Sequence, residues 1–400
     1  MNKTYTTYKH LAIFQGKPLF SEKLHVGRPN IGSKSLLFER LQDILERRWL
    51  TNDGPYVREM ESEISRLIGV KHCIAVNNAT IGLEIAARSL DLKGEVIVPS
   101  FTFIATAHAL QWLGIKPIFC DVYPKTHNID PRKVESLISE KTTGIVGVHL
   151  WGRPCEIDAL TEIAHKHNLK LLFDAAHAFG CSFKGRMLGN FGDVEVYSFH
   201  ATKFLNSFEG GAIVTNDDRI AEKARALINF GYDSSDNIAF AGTNGKMSEI
   251  SAAMGLTGLA SLNEFISVNS LNHQTYVEEL ADVPGVNVIR YNEDERNNYQ
   301  YIILEIDEEK CGLTRDNLMR ILQNENVLAR RYFHPGCHRA EPYASDEFYN
   351  NLYLPETERL SASVLALPNG TAVSEVEIKV ICQIIRVSVT YAKEIINFLS

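Results

Sequence analysis

The chain predicts an α/β fold: a seven-stranded, mostly parallel sheet with helices on its faces, followed by a smaller C-terminal α+β unit. Three observations carry this. Between residues 72 and 216, short β-rich runs alternate with helix-like stretches, the pattern of βαβ units. Several runs, among them IVGV, LLF and AIV, are apolar almost without interruption, as strands covered on both faces are. Beyond residue 216 the texture changes to long helical stretches and then a mixed tail.

Ser35 to Leu50 and Pro55 to Leu67 carry amphipathic helical patterns, separated by the turn-rich Thr51-Asn52-Asp53-Gly54-Pro55. Strands are expected at His72 to Val76, Glu95 to Pro99, Lys116 to Asp121, Gly144 to His149, Lys170 to Phe173, Val194 to Phe199 and Gly211 to Thr215. Between them, Leu83, Ala86, Ala87 and Leu90 fall at i, i+3, i+4 and i+7 and form one helical stripe, and Ile157 to His167 gives another. Asp218 to Asn229 and Ser248 to Val268 read as long helices, and Val286 to Ile289 and Tyr299 to Ile306 as strands. Tyr291 to Asn298 reads as a charged surface loop. The expected division places a large domain with the N-terminal helices at 1–260 and a small one at 261–400.

Four hundred residues with 45% apolar content can bury a substantial core. A formal charge of −8 argues against a nucleic-acid partner. No apolar stretch approaches a membrane span, and the start MNKTYTTYKHLAIFQ lacks the order of a secretory signal, so the expected address is cytoplasmic. The seven cysteines show no metal or disulfide spacing and read as reduced, buried residues. His334, Cys337 and His338 cluster in HPGCHR, but without a fourth nearby ligand no metal site is expected.

The chemistry concentrates at strand ends. In FDAAHAFGCSFKGRMLGNFGDVEVYSFHATKFLNSFEGGAIVTN, Asp174, His177, Ser198 and Lys203 follow two strand-like runs and can meet at one rim. A lysine there can form an imine with an aldehyde cofactor, and a carboxylate placed after the apolar run LKLLF needs a cation or several donors. A protonated pyridine nitrogen is such a cation. Val76-Asn77-Asn78-Ala79-Thr80 runs from a strand into a helix, so the amides near Ala79 and Thr80 and the Thr80 hydroxyl can face an anion. Phe103, after the strand EVIV, can cover a planar ring. Each residue also has a plainer reading: a surface lysine for Lys203, a helix cap for Asp174 or the Asn-Asn-Ala-Thr turn, ordinary packing for His177 and Phe103.

Taken in order, WLTNDGPYVREMESEISRLIGVKHCIAVNNAT, PSFTFIATAHAL, PIFCDVYPKTHNIDP, VGVHLWGRP, FDAAHAFG, SFHATKFLNSFEGGAIVTND, GTNGKMSEISAAMGL and LALPNG resemble the DegT/DnrJ/EryC1 family of sugar aminotransferases. These enzymes depend on pyridoxal 5'-phosphate (PLP) and have the aspartate-aminotransferase-like fold, type I of the PLP-dependent transferases. The resemblance implies that Lys203 carries the cofactor, that Asp174 pairs with its ring nitrogen, and that His177 and Phe103 contact the ring. It implies that Ala79, Thr80 and Ser198 hold the phosphate, and that Asn244, in GTNGKMSE, reaches the cofactor of a neighbouring subunit in a homodimer with shared sites. One departure stands out: Asn78-Ala79-Thr80 replaces the usual Ser-Gly-Thr of the phosphate loop.

The implied reaction moves an amino group from L-glutamate to C4 of a dTDP-linked 4-keto-6-deoxyhexose, giving a 4-amino-4,6-dideoxy sugar for polysaccharide (O-antigen) or a glycosylated metabolite. The alternatives are a 3-keto nucleotide-sugar aminotransferase and, further off, a PLP-fold protein that binds without turnover. Relatives whose lysine is replaced by histidine are dehydratases, and this chain keeps Lys203. Candidate substrate contacts are Trp49 beside the 51–56 turn, His149 and Trp151 in VHLWGRP, Lys246, and Arg331, Tyr332 and His334 in the aromatic and basic stretch 330–338.

Overall fold

The computed structural model describes residues 7–399. The first six residues of the N-terminal stretch read for a signal lie outside the described residues. Seven strands form the main sheet: β1 (His72–Val76), β2 (Glu95–Pro99), β3 (Lys116–Cys120), β4 (Thr142–Val148), β5 (Lys170–Asp174), β6 (Val194–Ser198) and β7 (Gly211–Thr215). Their order is β1-β7-β6-β5-β4-β2-β3. Neighbours run parallel except at β7, which is antiparallel to both β1 and β6. Every strand but β7 therefore ends at the same edge.

The unbroken apolar runs have a direct structural cause. Along β5, Leu171 and Phe173 face one core while Leu172 faces another; along β4, Ile145 and Val146 divide in the same way. The stripe Leu83, Ala86, Ala87 and Leu90 of helix Ala79–Ser89 packs into the second of these cores. Close approach of this helix to the sheet depends on Gly82, where a Cβ would lie 2.9 Å from Val196 Cγ1.

The stretch Ser248 to Val268 is two helices, not one. Glu249–Ala260 and Leu262–Glu279 are separated at Ser261, whose φ of −105° and ψ of 10° interrupt the helical ladder. The first helix is buried on most sides; after the break, Phe265 stays in a main-sheet core and Tyr276 enters a separate C-terminal one.

That second core surrounds a four-stranded antiparallel sheet of β8 (Val286–Val288), β9 (Ile302–Ile306), β10 (Arg330–Arg331) and β11 (Val364–Leu367), ordered β8-β9-β11-β10. Leu11, Phe20 and Leu24 from the N-terminal arm pack into it, and Leu24–His25 pairs in parallel with Val327–Leu328. The loop 291–298 departs from its expectation as surface. Tyr291, Asn297 and Asn298 are buried, and the Asn298 amide donates to the carbonyls of His177 (2.9 Å) and Phe179 (3.0 Å).

Candidate active site

The shared strand edge opens into a cavity of about 330 Å³. Open parallel sheets place ligands there because strand ends and helix N-termini converge at that edge. Lys203, Asp174, His177 and Ser198 line the cavity together with Ala79, Thr80 and Phe103. Tyr332 joins them from the C-terminal unit, with Arg330 and Phe333.

Asp174 ends β5 and is buried. Its Oδ2 accepts from the Thr106 hydroxyl at 2.7 Å and its Oδ1 from the Ala176 amide at 3.0 Å. Burial nevertheless pushes the carboxyl above its ordinary range, against the pull of those two bonds and of the Lys203 charge. The carboxylate is thus held in place but short of positive charge.

Lys203 sits in the turn after β6, its own amide bonded to the His200 carbonyl at 2.8 Å. Burial lowers its amine to about 8, with Asp174 opposing the shift. A substantial neutral fraction near neutral pH is what a nucleophilic amine needs. His177 is pushed well below its usual value by burial and then by the Lys203 charge, so its imidazole is neutral. Its Nδ1 accepts from the Trp151 amide at 3.1 Å, which leaves the ring hydrogen on Nε2. Phe103 is 56% exposed, its ring free to cover a ligand entering the cavity.

At the opposite wall, Asn78 caps helix Ala79–Ser89 by accepting from the Ile81 amide at 2.9 Å. The amides of Ala79 and Thr80, in the first turn, have no partner within the helix, the arrangement by which a helix N-terminus can receive an anion. Gly211 of β7 passes close beside them: a Cβ there would lie 2.7 Å from the Tyr197 carbonyl oxygen and 3.0 Å from the Ala79 nitrogen. Ser198 Oγ accepts from the His200 amide at 3.4 Å and lines the same cavity.

Other candidates lie elsewhere. Asn244 is exposed, and Lys246 lines a separate cleft of 630 Å³ where its amine bonds Asn229 Oδ1 at 2.9 Å. Trp49 is half exposed, with the Arg58 guanidinium 5.3 Å from its ring. Arg331 and His334 line a 230 Å³ cleft beyond the Tyr332 and Phe333 rings, and Arg331 pairs with Asp316 at 3.7 Å.

Trp151 and His149 correct their expectation as ligand contacts. Trp151 is 1% exposed, packed edge-on against Phe101 and His127, so only its backbone serves the site, through His177. His149 is fully buried, stacked on Phe173 and 3.2 Å from Glu195 Oε2. Sequence reasoning also missed Thr106 and Tyr301; the tyrosine hydroxyl lies 3.4 Å from Lys203 Nζ. Among the described residues, no three His, Cys, Asp or Glu side chains are grouped to hold a metal ion.

A dTDP-4-amino-4,6-dideoxy-D-glucose transaminase of Shigella dysenteriae is 38% identical over 319 residues, 80% of this chain and 85% of the relative. A protein of the same name from Escherichia coli is 35% identical over 88% of this chain and 94% of its own. The crystal structure of DesI in the presence of its TDP-sugar product superposes with a TM-score of 0.94 at 48% identity, covering 98% of this chain and 99% of that one. The DegT/DnrJ/EryC1/StrS aminotransferase family matches residues 33–386, and the chain belongs to that family.

Proposed function

We propose that this aminotransferase moves an amino group from L-glutamate to C4 of a dTDP-linked 4-keto-6-deoxyhexose, giving a dTDP-4-amino-4,6-dideoxy sugar for polysaccharide or metabolite glycosylation. The observation that carries the reading is one cavity holding a buried amine lowered to about 8 and a buried carboxylate short of a cation. The two transaminases and the TDP-sugar enzyme DesI support the substrate class.

The cavity fits PLP. A pyridinium nitrogen supplies the positive charge that Asp174 lacks, and the helix start beside Gly211 suits a phosphate. Lys203 would carry the cofactor, His177 and Phe103 would flank its ring, and Ala79, Thr80 and Ser198 would hold its phosphate. When bound, PLP supplies an electrophilic carbon for the incoming amine and an electron sink for the carbon that loses a proton. Lys203, as a neutral amine, would carry that proton, and Asp174 would pair with a charged ring nitrogen.

The active unit is a homodimer in which Asn244 of the partner subunit completes each site. Exposed apolar side chains support this: Phe38 and Leu45 on one helix, Leu50 beyond it, and Phe230, Ile238 and Phe240 near Asn244. With the division set at residue 260, the first unit would hold the cofactor and the second brings Tyr332 to the cavity, while the arm carrying Leu11, Phe20 and Leu24 packs with the second. A cytoplasmic address agrees with seven free cysteines and with the lack, among the described residues, of any helix long and apolar enough to cross a membrane.

The test is an assay with glutamate against a panel of 3-keto and 4-keto nucleotide sugars, with NMR of the products, beside borohydride reduction of the PLP-loaded protein. The expected product carries nitrogen at C4, and the fixed cofactor maps to Lys203. Amination at C3 would overturn the substrate, and cofactor fixed elsewhere would overturn the site.

A further inference from the structure

Among the described residues the Lys203 amine has one hydrogen-bond partner, the phenol of Tyr301. Tyr301 directly precedes β9, is 8% exposed, and reaches across from the C-terminal unit to an amine held by the large one. Its ring centre lies 4.4 Å from that of His177 and 6.3 Å from that of Tyr332. Its backbone is held as well: the Tyr291 hydroxyl lies 2.9 Å from the Tyr301 carbonyl oxygen and 3.2 Å from that of Trp151. Two aromatic neighbours and a backbone tie therefore fix where the phenol oxygen points.

The other polar groups around the amine do not duplicate this partner. Asp174 acts on it through charge, His177 is neutral with its Nδ1 committed to the Trp151 amide, and Glu209, Arg330 and Tyr332 line the cavity without a hydrogen bond to Lys203 among the described residues. A carboxylate can only accept and an ammonium only donate, whereas a phenol does both. A phenol therefore suits an amine that alternates between charged and neutral.

We propose that Tyr301 is a positioning residue for catalysis, which holds the Lys203 amine in line by accepting from it when it is charged and donating to it when it is neutral. The proton balance is simple. Lys203 gains and loses one proton to the reacting carbon, Tyr301 keeps its own, and only the direction of their hydrogen bond reverses. Burial pushes the phenol well above its ordinary value, so it stays protonated across the working range. The proposal rests on the aminotransferase reading of this site, since only there does Lys203 cycle its charge.

The test is Tyr301→Phe, which keeps the ring and removes the hydroxyl. In the full chain without added cofactor, competitive acetylation followed by mass spectrometry of the Lys203 peptide reads the amine's midpoint. Bonds to a charged donor exceed those to its neutral form, so the midpoint should fall by about half a unit to one unit. In the loaded enzyme kcat should fall ~10- to 100-fold, with KM for the keto sugar within about twofold, as when the amine that carries the proton is no longer held in line. A merely structural role would lower the urea midpoint and leave the amine's titration where it was. If Tyr301→Phe fails to fold, Tyr291→Phe, which loosens the same phenol, should move the midpoint in the same direction.

An unmoved midpoint, or full kcat despite a moved one, overturns the proposal. Failure of the function reading looks different: wild-type protein would then take up no borohydride-fixed PLP at Lys203, whereas failure of Tyr301 alone leaves that fixation intact.

Discussion

The hydroxyl of Thr106 donates to Oδ2 of Asp174 at 2.7 Å, inside the large domain and away from water. It is one of only two hydrogen bonds to that carboxylate among the described residues, the other coming from the Ala176 amide. Because burial already pushes the carboxyl up, removing either donor should push it further. Thr106→Val keeps the shape and deletes the donor. A hydrogen bond to a charged group contributes about 1.5–3 kcal/mol, so affinity for PLP should fall ~10- to 100-fold. Titration of the cofactor-free variant with PLP, followed by absorbance, measures this, and Thr106→Ser should restore most of the loss. Wild-type affinity in Thr106→Val would show that Asp174 does not depend on this bond.

Lys203 should make the cofactor-free protein less stable than it otherwise would be. Its folded value of about 8 lies below the ~10.4 of an unfolded lysine. Between these values the unfolded chain binds a proton that the folded chain does not, so stability rises with pH across that window. Below about 8 both states are charged and the whole penalty stands, of order 3 kcal/mol. Lys203→Met should therefore raise stability at pH 7 by about that amount while abolishing catalysis, and should flatten the rise between pH 8 and 10. Urea denaturation at several pH values reads both effects. Equal stability of the two proteins at pH 7 would show that the amine is better solvated than its burial indicates.

The main sheet was legible because its strands are covered on both faces: Leu171, Leu172 and Phe173 divide between two cores, so the whole run must be apolar. Asp174 stood out for the converse reason, a carboxylate at the end of such a run, and Lys203 as a cation in the turn that follows another. Thr106, Tyr301 and Asn298 were not legible. A threonine in a helix, a tyrosine beside a strand and an asparagine in a charged loop carry no local mark of the partner each meets, 68, 98 and 121 residues away. Trp151 and His149 misled because an aromatic or histidine at a strand end has the same local sequence whether it faces a ligand or a core. At 151 the left-handed backbone, φ 58°, turns the indole into a fourth core cluster and leaves only the amide facing His177.

The buried pair beneath the site should be costly to break. His149 and Glu195 are both fully buried, with Nε2 and Oε2 3.2 Å apart, and their remaining polar atoms meet the Cys155 and Phe191 amides. Removing one partner from such a pair leaves the other buried and unpaired, at a cost of about 3–5 kcal/mol. Glu195→Leu and His149→Phe should each approach that figure. Combined, they should destabilise by less than the sum, because neither the imidazole nor the carboxylate is then left facing a missing partner, while the loss of acceptors for the Cys155 and Phe191 amides adds from each. A double-mutant cycle in urea measures the coupling, and additive losses would mean that the two side chains are solvated separately.

Shared sites in a homodimer make a prediction that no single-chain site can satisfy. If each cavity draws Lys203 from one subunit and Asn244 from the other, Lys203→Ala and Asn244→Ala are each impaired as pure dimers, the first fully. Unfolding the two together and refolding them as a mixture should give dimers of which about half are mixed. In a mixed dimer one cavity carries both defects. The other pairs an intact Lys203 with an intact Asn244 and is wild type. About a quarter of all sites should then recover full activity, above the average of the two pure variants. Activity in the mixture equal to that average would place Asn244 and Lys203 in the same subunit's site or remove Asn244 from the reaction. The Asn244 of a lone subunit stands exposed, its backbone carbonyl accepting from Asn77 Nδ2 at 3.3 Å, and its side chain does not line the Lys203 cavity of its own chain.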